Sequence, residues 1–171
     1  MSTQDLESLR EVELLRQQAG MVRQVLHMNT EGITQAESLI QPQAAGNCMN
    51  WVVGHLLAIY HHVLPLLGQE PVLPVAQLSR YDRGSAPIQD MSESLDINDM
   101  LKAWDETCAR IDAGFAVLTR DQLDSPAPMS PTNNPKETIG SLLGTVCWHQ
   151  AYHAGQAGLL RRLAGKEGAI R

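Results

Sequence analysis

The sequence predicts an all-α protein, a four-helix bundle with long connections between helices two and three and between helices three and four. Three observations carry this. Apolar residues recur at steps of three and four over four long stretches, with little sustained alternation of period two. The composition joins 43% hydrophobic residues to only 4% aromatic ones, with helix-forming Leu, Ala, Glu, Gln and Arg prominent. Clusters of Pro and Gly part the periodic stretches. No amphipathic helix can hide its stripe alone, so four of bundle length bury one another. The 171 residues suit one domain, 1–171, with a core that needs no disulfide or other staple.

The first helix is expected from about Leu6 to Met28. Val12, Leu15, Ala19, Val22 and Leu26 form its stripe, Leu14, Met21, Val25 and Met28 widen the face, and Glu11, Arg16 and Arg23 lie outside. Asn29 and Thr30 break the pattern, a short helical turn follows through Ile40, and Pro42 closes it. Asn47 is the expected N-cap of helix two, which runs from about Cys48 to Leu67. One of its stripes is Val52, Leu56, Ile59, Val63 and Leu66, and the neighbouring one is Trp51, His55, Ala58 and His62. Pro65 removes a backbone donor near its end, and Gly68, Pro71 and Pro74 stop it. From Gly68 to about Leu95 no long periodic run occurs. Helix three has the cleanest seam, Ile97, Leu101, Trp104, Cys108, Ile111, Phe115 and Leu118, with Asp96 as its cap. Pro126, Pro128, Pro131 and Pro135 exclude helix from the next connection, and helix four occupies about Lys136 to Ala164. Both connections exceed the usual helix-to-helix length, which permits crossover and can roof a site.

Lys and Arg total 13 against 19 for Asp and Glu, a formal charge of −6. That balance repels a phosphate backbone unless a basic face is segregated. The one dense basic spot, Arg161, Arg162 and Lys166, suits the C-terminal end of the last helix, so no nucleic-acid partner is expected. The first ten residues are polar, and no apolar run approaches the ~20 residues of a membrane span. A cytoplasmic protein without membrane attachment is the expectation. Cys48, Cys108 and Cys147 form no CxxC pair and are odd in number, which fits reduced, partly buried thiols rather than a disulfide framework or zinc ribbon.

The chemistry lies in helix four, whose stripe reads Leu142, Val146, His149, His153, Gln156, Leu160 and Leu163. Two imidazoles four residues apart therefore point inward side by side. Buried polar groups need partners, and the partner that suits neutral imidazoles at this spacing is a divalent metal. His55, inward on helix two, is the best third ligand, and three ligands leave coordination positions open. HxxxH alone is a weak signal and lacks the glutamate of HExxH. Gln156, one turn beyond His153, is placed to touch bound water or substrate, or to orient a ligand. Tyr152 and Tyr60 are phenolic donors near the site, though such tyrosines more often pack and reach water. His62, about 10 Å along the axis from His55, is too far for the same ion, and His61 and His27 are expected in solvent. Cys147 and Cys48 are not expected as ligands. In the first long connection, Arg80, Tyr81, Asp82, Arg83 and Gly84 form a polar cluster suited to a lid that recognises an anionic group. No phosphate-binding glycine loop and no Ser-His-Asp order is present.

Two stretches resemble the DinB-like (DinB/YfiT-like) metal-binding helical bundles. Gly46-Asn47-Cys48-Met49-Asn50-Trp51-Val52-Val53-Gly54-His55-Leu56 is similar to that family's stretch around its first ligand. Trp148-His149-Gln150-Ala151-Tyr152-His153-Ala154-Gly155-Gln156 is similar to its last-helix HxxxHxGQ motif. The resemblance implies an up-down-down-up bundle, often a homodimer, holding one divalent ion, nickel or zinc most often, through His55, His149 and His153. It further implies hydrolase-like activity or transfer reactions of low-molecular-weight thiols. One departure is Ala154, where the family often has a basic residue, which removes any anion contact made there. The leading expectation is a metal-dependent enzyme acting on a small-molecule substrate, hydrolase or thiol S-transferase, with Gln156, Tyr152, Tyr81 and Arg83 as candidates around the metal and no assigned general base. The alternative is a noncatalytic metal-binding or stress-response module acting as a dimer.

Overall fold

The computed structural model describes residues 3–43, 46–88 and 90–170, with side chains from Arg10 onward. Four long helices dominate: α1, Thr3–Thr30; α3, Met49–Val63; α5, Ile97–Phe115; and α7, Ile139–Leu163. Three short ones, α2 (Gln35–Ser38), α4 (Val75–Leu78) and α6 (Arg120–Asp124), lie in the connections, and no strand occurs among the described residues. No helix among them is long and apolar enough to cross a membrane.

Helix starts follow their capping chemistry. The Asp96 side chain accepts from the backbone N–H groups of Asn98 and Asp99, as expected. Thr138, Thr119 and Thr34 begin α7, α6 and α2 with reciprocal capping boxes, each satisfying otherwise orphaned donors. Helix α7 thus starts at Ile139 rather than Lys136. Asn47 does not cap α3: that position belongs to Cys48, which makes no side-chain cap bond. Pro65 acts as expected, since the chain tightens to a 3-10 turn over Leu64–Leu67 and ends on Gly68 at φ 68°. Helix α5 stops at Phe115, short of Leu118. The α6 turn fits between it and the first proline of the connection.

Helix α1 packs on α7 and α5, and α3 packs on the same two. Cys147 Sγ meets the Leu15 carbonyl, Asn29 Nδ2 donates to Ala154 O at 3.1 Å, and Arg161 donates to Asn29 O, so contacts advance in the same direction along α1 and α7. They also advance together along α3 and α5, from Asn50 at Leu95, through Tyr60 on Trp104, to Leu67 against Gly114. The core takes Leu15 and Leu26 from α1, Val52 and Leu56 from α3, Trp104 and Ile111 from α5, and Leu142 and Leu160 from α7. Each such side chain contributes ~1.5–3 kcal/mol of burial. Leu14, Met21 and Leu163 break the expected pattern, standing 57%, 69% and 46% exposed. Periodicity places Leu14 and Met21 beside the α1 stripe and Leu163 at the end of the α7 one, but α1 and α7 meet each other on their inner sides.

Candidate metal centre

Helix α3 is buried almost all round from Met49 to Ala58 because the chain after α4 closes over its outer side. Tyr81 anchors that cover. Its ring lies flat on Gly54, where an added Cβ would come within 2.2 Å of the ring, so only glycine admits it. Its hydroxyl donates to Asn50 Oδ1 at 3.0 Å and accepts from Leu95 N–H at 2.7 Å. Gly84, at φ 83°, then takes the left-handed conformation that turns the chain, and Ser85 Oγ accepts from Trp51 Nε1 at 2.8 Å.

This scaffold fixes His55. Its Nδ1–H donates to the Tyr81 carbonyl at 2.7 Å, and Trp51 stacks on its ring, centroids 4.5 Å apart and 14° from parallel. A carbonyl only accepts, so the neutral ring carries its proton on Nδ1 and turns a bare Nε2 inward. On α7, His153 repeats the arrangement: Nδ1 donates to Gln156 Oε1 at 2.7 Å, and the Gln156 amide in turn donates to the Tyr152 hydroxyl at 3.1 Å. The three Nε2 atoms converge. His149 Nε2 lies 3.3 Å from that of His55 and 3.0 Å from that of His153.

The trio is short of protons as it stands. Two bare nitrogens face a third ring that can share at most one hydrogen, and His149 Nδ1 is buried without a partner. Extra protons are unfavourable. Burial first, then the neighbouring histidines and Arg83, pushes His149 down to about 4, and burial with the charge of His55 does the same to His153. Burial also lowers His55, partly offset by the Tyr81 carbonyl. A cation resolves the conflict. Nitrogens about 2.1 Å from a common ion stand roughly 3.0–3.4 Å apart, and the two spacings from His149 Nε2, 3.3 and 3.0 Å, are of that size. The donors fit a divalent metal, and among the described residues these three side chains form the one group of His, Cys, Asp or Glu with such convergence.

The remaining candidates sort by position. Gln156 orients His153. Tyr81, expected in a polar lid cluster, meets His55 through its backbone carbonyl. Tyr152 is 54% exposed, packs edge-on against His153 and holds the Gln156 amide. Arg83 is exposed, and its charge reaches His55 and His149. Tyr60 belongs to the core, donating to buried Gln150 at 2.7 Å. His62 and His27 are exposed, whereas His61, expected in solvent, is half-buried and bonded through Nδ1 to the Leu73 carbonyl at 3.1 Å. All three thiols are free and buried; burial raises Cys48 and pushes Cys108 and Cys147 up to about 12 and 11, so they stay protonated. Sequence reasoning missed the Trp51 stack and the Gly54–Tyr81 contact. A glycine inside a strongly apolar helical run, one residue before an inward histidine, was the available signal.

Among curated proteins, none matches the chain. A solved structure from Enterococcus faecalis, described as a conserved protein of locus, superposes with a TM-score of 0.68 over 90% of this chain and 97% of that one, at 17% identity; the likeness is one of fold. Residues 18–157 match the family model described as DinB superfamily, a span that holds all three histidines and their orienting partners, and the chain belongs to that superfamily.

Proposed function

We propose that the protein holds one divalent ion, nickel or zinc, on His55, His149 and His153, and uses the open coordination positions for a metal-dependent reaction of a small molecule, a hydrolysis or a low-molecular-weight thiol transfer. The observation that carries this reading is the convergence of three imidazole nitrogens, two of them locked lone-pair-inward by Tyr81 O and Gln156 Oε1. When bound, such an ion supplies Lewis acidity that lowers the pKa of a water or thiol in its open positions. The protein's own groups do the rest. Tyr81 and Gln156 aim the ligands, Trp51 walls one side of His55 against water, and Arg83 meets an anionic group of the substrate. No carboxylate joins the trio among the described residues, so no side chain is assigned as general base. That all-imidazole make-up supports a second reading, a noncatalytic metal-binding or stress-response module. A cytoplasmic setting, where buried thiols stay reduced, suits either.

The test is elemental analysis of untagged protein beside a variant with His55, His149 and His153 changed to alanine. About one nickel, zinc or similar ion per chain, lost in the variant while helicity is kept, is expected. Negligible metal in both would overturn the proposal. With metal established, turnover of thiol-transfer or hydrolysis substrates separates the enzyme from the binding module.

A further inference from the structure

We infer that the hollow between the C-terminal end of α1 and the first half of α5 is a binding site for a small hydroxylated ammonium compound, an amino alcohol. The inference is independent of the metal reading, since none of the three histidines or of the groups that orient them lines this hollow. Its volume is about 150 Å³, room for roughly five waters at ~30 Å³ each or for one organic molecule of similar bulk. Thr30, Ile33 and Trp104, all buried, form its inner wall, and exposed Glu31 and Asp105 stand at its rim.

Inner wall and rim each specify one half of the ligand. Trp104 is 2% exposed, and its Nε1 is buried with no acceptor in the protein; Tyr60, which packs against the indole with centroids 5.5 Å apart, has its hydroxyl turned to Gln150. A buried indole N–H without a partner is rare in a folded protein and calls for an oxygen from outside. On the same inner wall, Thr30 Oγ1 shares its hydrogen between the Leu26 and His27 carbonyls and keeps lone pairs that can accept. A ligand hydroxyl satisfies both, accepting from Trp104 and donating to Thr30, whereas a carbonyl meets only the first. At the rim, Glu31 and Asp105 enter no ion pair among the described residues. No Lys or Arg lines the hollow, and His27 is the other titratable group there. Two carboxylates without a cation select a positive ligand and repel a negative one. Ile33, Leu101 and the indole offer an apolar surface to the short hydrocarbon chain between the ligand's two ends.

The experiment follows the indole N–H signals of the 3 tryptophans by nuclear magnetic resonance in the full chain, with through-bond assignment, during titration with 4-aminobutan-1-ol, butylamine and 4-hydroxybutyrate. The amino alcohol at millimolar concentration is expected to shift the Trp104 signal saturably. Butylamine, which lacks the hydroxyl, should bind roughly 2- to 10-fold more weakly, the usual worth of a lost hydrogen bond, and 4-hydroxybutyrate, which carries the wrong charge, should leave the signal in place. Glu31→Gln/Asp105→Asn changes two exposed side chains, so the variant should keep its fold by circular dichroism and bind the amino alcohol several-fold more weakly. A Trp104 signal that no probe moves would overturn the inference and leave the hollow to water. Equal shifts from all three probes, or undiminished binding in the double variant, would also overturn it. So would a response confined to Trp51, which stacks on His55 and reports an amine taken up at the metal centre instead.

Discussion

Helices α5 and α7 sit in the same bundle and obey opposite rules. On α5 the inside is Ile97, Trp104, Cys108, Ile111 and Phe115, all buried, and the outside carries charges such as the Lys102–Asp99 and Arg110–Glu106 pairs. On α7 the inner side carries His149 and His153, while Trp148, Tyr152 and Leu159 face out. A helix kept only for stability follows the binary pattern. Where polar groups go in and large apolar ones go out, local inconsistency of this kind points to function rather than stability.

The sharpest way to break the comparison is to cut each helix at its buried face. Phe115→Ala should destabilise by ~3–5 kcal/mol, the usual cost of a large core cavity, with metal content per folded chain unchanged. His149→Ala should do the reverse, losing metal while the metal-free protein changes by less than about 1 kcal/mol, because a side chain whose buried Nδ1 has no partner leaves the core. Denaturant titrations of chelated and metal-loaded protein read both. Equal losses of stability from the two would remove the distinction.

Next in size is Gly54→Ala. The new methyl cannot share space with the Tyr81 ring, and overpacking of this kind costs ~1–3 kcal/mol. Displacing Tyr81 also takes its carbonyl from His55, and losing such an orienting partner typically lowers metal affinity about 10- to 100-fold. Competition with a chromophoric chelator measures the second effect separately from the first.

A smaller effect comes from pH. In the unfolded chain His149 and His153 titrate near 6.5, and in the fold they are held down to about 4. Between those values the unfolded chain binds more protons, so metal-free protein should hold constant stability above pH 6.5 and lose it as pH falls toward 4. The slope stays below the ~1.4 kcal/mol per pH unit of one fully linked proton per histidine. Glu37, Asp90 and Glu137 are stabilised as carboxylates by hydrogen bonds and contribute only toward the acid end. Comparing pH 7.5 with pH 5 against a His149→Ala/His153→Ala variant isolates the histidines; an unchanged slope in the variant would refute the assignment.

Much of this contrast is legible in the sequence. The α5 seam and the inward placement of His55, His149 and His153 follow from period alone, because each is a property of one helix. What periodicity cannot see is which neighbour covers which side. Leu14 and Met21 lie on the flank of a good stripe and end up outside, since α1 has partners only on its inner side. Tyr81 is visible as part of a polar cluster, but its use of a backbone carbonyl depends on a loop closing over Gly54 from nearly thirty residues away, a contact no local pattern encodes. Cys48 caps α3 in place of Asn47 for a similar reason: its side chain is drawn into the core, and the helix start shifts with it.

The finest test of the comparison is Tyr152→Phe, because Tyr152 belongs to both sides of α7. Its ring stacks on Trp148, 24° from parallel, as part of the apolar outer stripe, and its hydroxyl accepts from the Gln156 amide that holds His153. Removing the oxygen leaves the ring, so stability should stay within about 0.5 kcal/mol. It frees the Gln156 amide to turn and present nitrogen rather than oxygen to His153. Metal affinity should then fall only a few-fold, because the amide can still return to its productive orientation. Gln156→Leu, which removes the acceptor altogether, should fall further, into the 10- to 100-fold range, with Gln156→Glu restoring an acceptor and most of the affinity. Equal affinities in Tyr152→Phe and wild type would confine Tyr152 to the outer surface and place the whole orienting role on Gln156.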